Sequence, residues 1–179
     1  MFQLVSTIVA VLLVAIDQIV KNWAAETLIK GDIEIFRNVL YLKYTENTGV
    51  AFSMFSDNRW ILVGVTSVML AAVLAFFLSG KVTGKLEVFS LSLLLAGGVG
   101  NLIDRMSLGY VIDYIDVRII NFAIFNIADI CICVGAFLLC VAVYFSDKKE
   151  EAAEKLSKEN EFNEIDKDLE KIFGGEKDE

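Results

Sequence analysis

The chain has 179 residues, enough for one domain, and with 56% hydrophobic residues and a mean hydropathy of +0.59 it is too apolar for an ordinary soluble one. Most of its formal charge of -8 lies in the stretch from Ser146 to Glu179, and the few Lys and Arg of the nearly neutral body are scattered, so no nucleic-acid footprint is present. The absence of histidine excludes Ser-His and Cys-His nucleophilic sites and the usual zinc sites, and the absence of proline leaves no proline-kinked helix.

Four apolar blocks follow one another, each near the ~20 residues that a membrane-spanning helix needs. The first, about Phe2 to Trp23, lacks the basic start of a cleaved signal peptide and carries Asp17, Gln18 and Lys21 in its last turns, so we expect a retained helix. The segment Ala24 to Arg59 contains the aromatic and β-branched run Val39-Leu40-Tyr41-Leu42-Lys43-Tyr44-Thr45 between the turn residues Gly31 and Asn47-Thr48-Gly49, which predicts a short hairpin or small sheet. Trp23 and Trp60 flank it as interfacial anchors. The second block, Trp60 to Leu78, is uncharged, and the linker Gly80 to Lys85 leads to the third, about Val88 to Asp104. The fourth runs from about Phe122 to Phe145 and is followed by Lys148 and Lys149.

The polar ends of the third and fourth blocks meet on one side of the membrane, and the lysines of the linker and of the stretch after the fourth block assign both termini to the cytoplasm. The expected fold is therefore a mainly α membrane protein: four transmembrane helices and a small extracytoplasmic β segment between helices 1 and 2. Residues 1–145 form the membrane domain and residues 146–179 a charged, solvated and partly disordered cytoplasmic tail, although Phe162, Ile165, Leu169 and Ile172 have a loosely helical spacing. Cys131, Cys133 and Cys140 all fall in the fourth block and are expected to pack as small apolar residues.

An ionisable group at membrane depth costs about 2.5 to 3.5 kcal/mol, so a cluster of them points to function. Asp17 and Lys21 are four apart on one helix face and can pair as a structural lock. In Ala96-Gly97-Gly98-Val99-Gly100-Asn101-Leu102-Ile103-Asp104-Arg105, the small residues permit close approach of another backbone, and Asn101, Asp104 and Arg105 share a face. Asp113 follows the turn at Gly109, and Asn126 and Asp129 lie on one face at the start of the fourth block. Two carboxylates close together in low dielectric cannot both ionise; one member then activates water while the other protonates a carbonyl oxygen. These features alone suggest a carboxylate site in a membrane and leave hydrolysis and ion-coupled transport both open. A non-enzymatic assembly role is disfavoured, because packing alone does not require two facing carboxylates, and a metal site from Asp104, Asp113 and Asp129 is a further alternative.

Five motifs in order, Asp17-Gln18-x-x-Lys21, Asn47-Thr48-Gly49-Val50-Ala51-Phe52, Gly100-Asn101-Leu102-Ile103-Asp104-Arg105, Gly109-x-Val111-x-Asp113-Tyr114 and Phe125-Asn126-x-Ala128-Asp129, resemble the bacterial lipoprotein signal peptidase family, signal peptidase II. The glycine run departs from the expected Gly-Gly-Ala but keeps its small residues, and the acidic tail lies outside the resemblance. The resemblance implies an aspartic endopeptidase of the bacterial cytoplasmic membrane that removes the signal peptide of a prolipoprotein before its diacylglyceryl-modified cysteine. It implies that Asp113 and Asp129 are catalytic, that Asn47, Asn101, Arg105 and Asn126 line the substrate site, and that Asp17, Lys21 and Asp104 support it. Expected partners are prolipoproteins, membrane lipid and globomycin-type inhibitors; no metal or cofactor is called for, and we expect a monomer.

Overall fold

The computed structural model describes residues 1–49, 59–82, 84–120 and 122–173, so Val50, Ala51 and Phe52 of the second motif lie outside the described residues. Four helices, α1 (Phe2–Thr27), α2 (Arg59–Leu78), α3 (Lys85–Ser107) and α4 (Ile127–Phe173), each contain a span long and apolar enough to cross a membrane. Their outward faces carry bare apolar side chains such as Val11, Ile19, Val68 and Phe137. In water such a surface would drive aggregation, whereas in lipid it is the surface the solvent prefers. Helix α3 is the central one: 56% of its span is buried, against 11% for α1 and for α2.

Small residues account for that position. A Cβ at Gly97 would collide with the Ala128 carbonyl oxygen, and one at Gly100 would come within 2.6 Å of Asp17 Oδ2. Helix α3 can thus bring one face of its backbone against both the first turn of α4 and the polar face of α1.

The predicted β segment exists, but it is completed from elsewhere in the chain. Strands β1 (Ile33–Phe36) and β2 (Leu40–Asn47) form an antiparallel hairpin that turns at Asn38, whose φ of 59° suits asparagine. The third strand, β3 (Val111–Val117), comes from the connection between α3 and α4 and pairs antiparallel with β2, giving the order β1-β2-β3. The cause is the end of α3, where the Leu108 and Gly109 amides both donate to the Asp104 carbonyl and Gly109 takes φ +90°. This left-handed cap reverses the chain into β3. Ile112 and Tyr114 then pack one face of β3 on Ala24 and Leu28.

The start of α4 differs from the sequence expectation. Phe122 to Phe125 were expected inside the helix, yet Phe125 forms a β-bridge with Ile115, donating its N–H to the Ile115 carbonyl at 3.2 Å and accepting from the Ile115 amide at 2.8 Å. The helix begins only at Ile127 because Asn126 caps it. The contacts of the chain divide it into Met1–Leu139, which holds the clustered polar residues, and Cys140–Glu179. Within the second unit the chain is helical to Phe173, with Leu156, Phe162 and Ile165 exposed.

Candidate active site

The first turn of α4 gathers the site through its own unpaired amides. Asn126 Oδ1 accepts from the Asp129 N–H at 2.9 Å while Asp129 Oδ2 accepts from the Asn126 N–H at 3.1 Å, a reciprocal capping box. The Ala128 N–H donates to Asp17 Oδ1 at 2.9 Å, so a side chain of α1 caps α4 as well. The motif Asn126-x-Ala128-Asp129 therefore does two things: it starts the helix, and it points a carboxylate to the side of it.

Asp113 comes from β3 and is 2% exposed. Asn47 pairs with Val111 in the β2–β3 register, so Asp113, two residues along, is its diagonal neighbour on the same sheet face, and Asn47 Nδ2 donates to Asp113 Oδ2 at 3.0 Å. Asn126 Nδ2 donates to the other oxygen, Asp113 Oδ1, at 2.6 Å. Asp129, half-buried, receives Asn101 Nδ2 on Oδ1 at 2.7 Å. Every oxygen of both carboxyl groups is thus oriented by an amide donor. Burial pushes the Asp113 carboxyl up to about 6, the negative charge of Asp129 adds to that effect, and the amides of Asn47 and Asn126 oppose it.

Beneath the pair lies an ionic cluster. Lys21 is 1% exposed and reaches Asp17 Oδ2 at 2.9 Å and Asp104 Oδ2 at 3.0 Å. Asp104 Oδ2 also accepts the Ile112 N–H at 3.1 Å, which ties the start of β3 to α3. Gln18 Nε2 donates to Asp104 Oδ1 at 3.0 Å and to the Gly100 carbonyl at 3.1 Å; as a site residue it escaped the sequence reading, although its place beside Asp17 in the first motif was the available signal. Arg105 donates through Nη2 to the Gly49 carbonyl at 3.1 Å, while its Nε has no hydrogen-bond partner among the described residues. The structure therefore brings Asn47, Asn101, Asp113, Asn126 and Asp129 into one hydrogen-bonded group, with Asp17, Lys21 and Asp104 behind it and Arg105 beside it. Asp104 faces Lys21 and the Ile112 amide, and among the described residues no three ligand-type side chains are grouped as a metal site requires.

Two apolar grooves open beside the carboxylates. The first, about 490 Å³, is lined by Asn47, Asp113 and Asp129 together with Phe122, Phe125 and Cys133. The second, about 400 Å³, runs between α2, α3 and α4 past Met69, Leu70, Asn101 and Arg105, and it too reaches Asp129. The apolar lining of these grooves was not legible in advance, since Phe122 and Phe125 read as helix and Cys133 as packing; its position one turn beyond Asp129 was the only hint.

Membrane-length helices thus surround two aspartates that open on apolar grooves, and the comparisons with known proteins place the chain among the aspartic peptidases. A family model for signal peptidase II matches residues 9–145, and the chain belongs to that family. It is 41% identical over 150 residues to a lipoprotein signal peptidase of Lactococcus lactis, covering 83% of this chain and 99% of that protein. With a lipoprotein signal peptidase of Clostridioides difficile the identity is 39% over 146 residues, covering 79% and 96%. A solved bacterial membrane enzyme superposes with a TM-score of 0.76 at 32% identity, covering 81% of this chain and 90% of that one.

Proposed function

We propose that the chain is an endopeptidase of the bacterial cytoplasmic membrane that removes the signal peptide from diacylglyceryl-modified prolipoproteins, cutting before the lipidated cysteine. The carrying observation is the meeting of Asp113 and Asp129, from separate elements, in the lining of one apolar groove, with a second groove reaching Asp129. One carboxylate of the pair takes a proton from water as the oxygen attacks the scissile carbonyl carbon, and the other gives its proton to the carbonyl oxygen. When the tetrahedral intermediate collapses, the C–N bond breaks, the leaving amine takes a proton from the carboxyl that received it from water, and a hydroxyl of the intermediate returns its proton to the other carboxylate, which restores the pair. No metal or cofactor enters the cycle.

The grooves suit a substrate that is half lipid and half peptide, arriving sideways from the bilayer, and Asn47, Asn101, Arg105 and Asn126 supply donors along its path. A globomycin-type cyclic peptide would compete for the same space. An even number of spans supports both termini on one side, and the lysines after α2 and within α4 favour the cytoplasm for that side, with the sheet and the aspartates near the outer face. Both aspartates come from one chain, which supports a protein that works as a monomer.

The test is cleavage of a diacylglyceryl-modified prolipoprotein by purified protein in detergent, alongside folded Asp113→Asn and Asp129→Asn variants. Wild-type cleavage before the lipidated cysteine, with a loss of at least about 1000-fold in each variant, is expected. Full activity in either variant would refute the pair.

A further inference from the structure

We propose that Lys21 is a positioning residue for the aspartate pair: it fixes which end of the Asn101 side-chain amide faces Asp129. This rests on the reading of Asp113 and Asp129 as the reacting groups. An ammonium has three N–H donors, and Lys21 directs them at Asp17 Oδ2, Asp104 Oδ2 and, at 2.9 Å, Asn101 Oδ1. Its geometry is saturated, and the two carboxylates hold it in place.

Asn101 Oδ1 also receives Asn126 Nδ2 at 3.2 Å, so both of its lone pairs point away from Asp129. The amide nitrogen is left to face Asp129 Oδ1, and it donates there at 2.7 Å. Turned over, the same amide would set an oxygen against a carboxylate and a nitrogen against an ammonium, two repulsive contacts for two attractive ones. The residue thus carries the orientation of Asp129 from a cation that has no hydrogen bond to either reacting carboxyl.

A packing role and a positioning role make different predictions for Lys21→Met. The charged and titratable groups around the pair are Asp17 and Lys21 from α1, Asp104 and Arg105 from α3, and Tyr114 beside Asp113 on β3. With Lys21 removed, a nearby positive charge is gone and the pair holds its shared proton more tightly. If Lys21 positions the pair, kcat for prolipoprotein cleavage falls on the order of 100-fold with KM little changed. The alkaline limb of kcat/KM moves upward by about one pH unit.

A folded Lys21→Met enzyme with wild-type kcat, or with reduced kcat and an unmoved limb, overturns the proposal. If the two unpaired carboxylates prevent that variant from folding, Asn101→Asp decides instead, because it keeps an acceptor for Lys21 while placing an oxygen opposite Asp129. A comparable loss of kcat with an upward shift of the limb is expected, and wild-type behaviour overturns the proposal. Asp113→Asn and Asp129→Asn, assayed in parallel, test the underlying reading separately: their activity would refute the pair itself, whatever Lys21 does.

Discussion

Asp113 is held by two amide donors yet is buried enough that its proton is retained to about pH 6. Its ordinary value is 3.8, so the folded protein binds this proton more tightly than the unfolded chain does. The contribution to stability is therefore greatest in acid and is lost as pH rises from about 4 through 6, by about 3 kcal/mol in total. Thermal unfolding in detergent should show wild type losing stability over that window relative to Asp113→Asn, whose amide does not titrate; parallel profiles would contradict the burial argument. Catalysis follows the same proton. In the free enzyme kcat/KM should decline above about pH 6, as the shared proton leaves. The limb in kcat should lie higher, because bound peptide excludes more water from the pair.

At the level of elements, the site depends on how closely three helices approach. Helix α4 delivers Asp129 only because its first turn lies against the glycines of α3, and the Ala128 carbonyl occupies the space a side chain at 97 would need. Gly97→Leu must separate the two helices, so it should cost more than about 3 kcal/mol and abolish cleavage. The measure is the yield of monodisperse protein after detergent extraction, followed by the prolipoprotein assay. A well-folded, active Gly97→Leu protein would show that the close packing is dispensable. Buried ion pairs add little net stability by themselves, so the Asp17–Lys21–Asp104 cluster is better understood as fixing register between α1, α3 and β3.

On the scale of the whole molecule, everything argued to act on substrate lies before residue 140. The family match ends at residue 145, and relatives of about 150 residues are covered almost to their full length. The acidic stretch thus lies beyond the part of the chain that the family model matches. A protein ending at residue 145 should retain kcat/KM within about a factor of 3 on a detergent-solubilised prolipoprotein, since it keeps every group named in the site. A loss beyond tenfold would give Ser146–Glu179 a part in turnover.

The sequence by itself determined what depends on local chemistry. Hydropathy set the four spans, because a helix must satisfy its own backbone in lipid, and the expense of intramembrane charge singled out Asp17, Lys21, Asp104 and Arg105. Spacing placed Asn126 and Asp129 on one face, though not that they cap each other. Tertiary structure alone decided the rest. The third strand joins a hairpin about 70 residues earlier in the chain, since strand pairing is non-local and only the left-handed turn at Gly109 sends Val111–Val117 back to β2. The segment Phe122–Phe125 follows the same rule: its apolar residues fit a helix equally well, and the Ile115 backbone, visible only in three dimensions, makes it a groove wall. Which amide faces which carboxylate was likewise beyond the sequence, because it is set by the three directions of one buried ammonium.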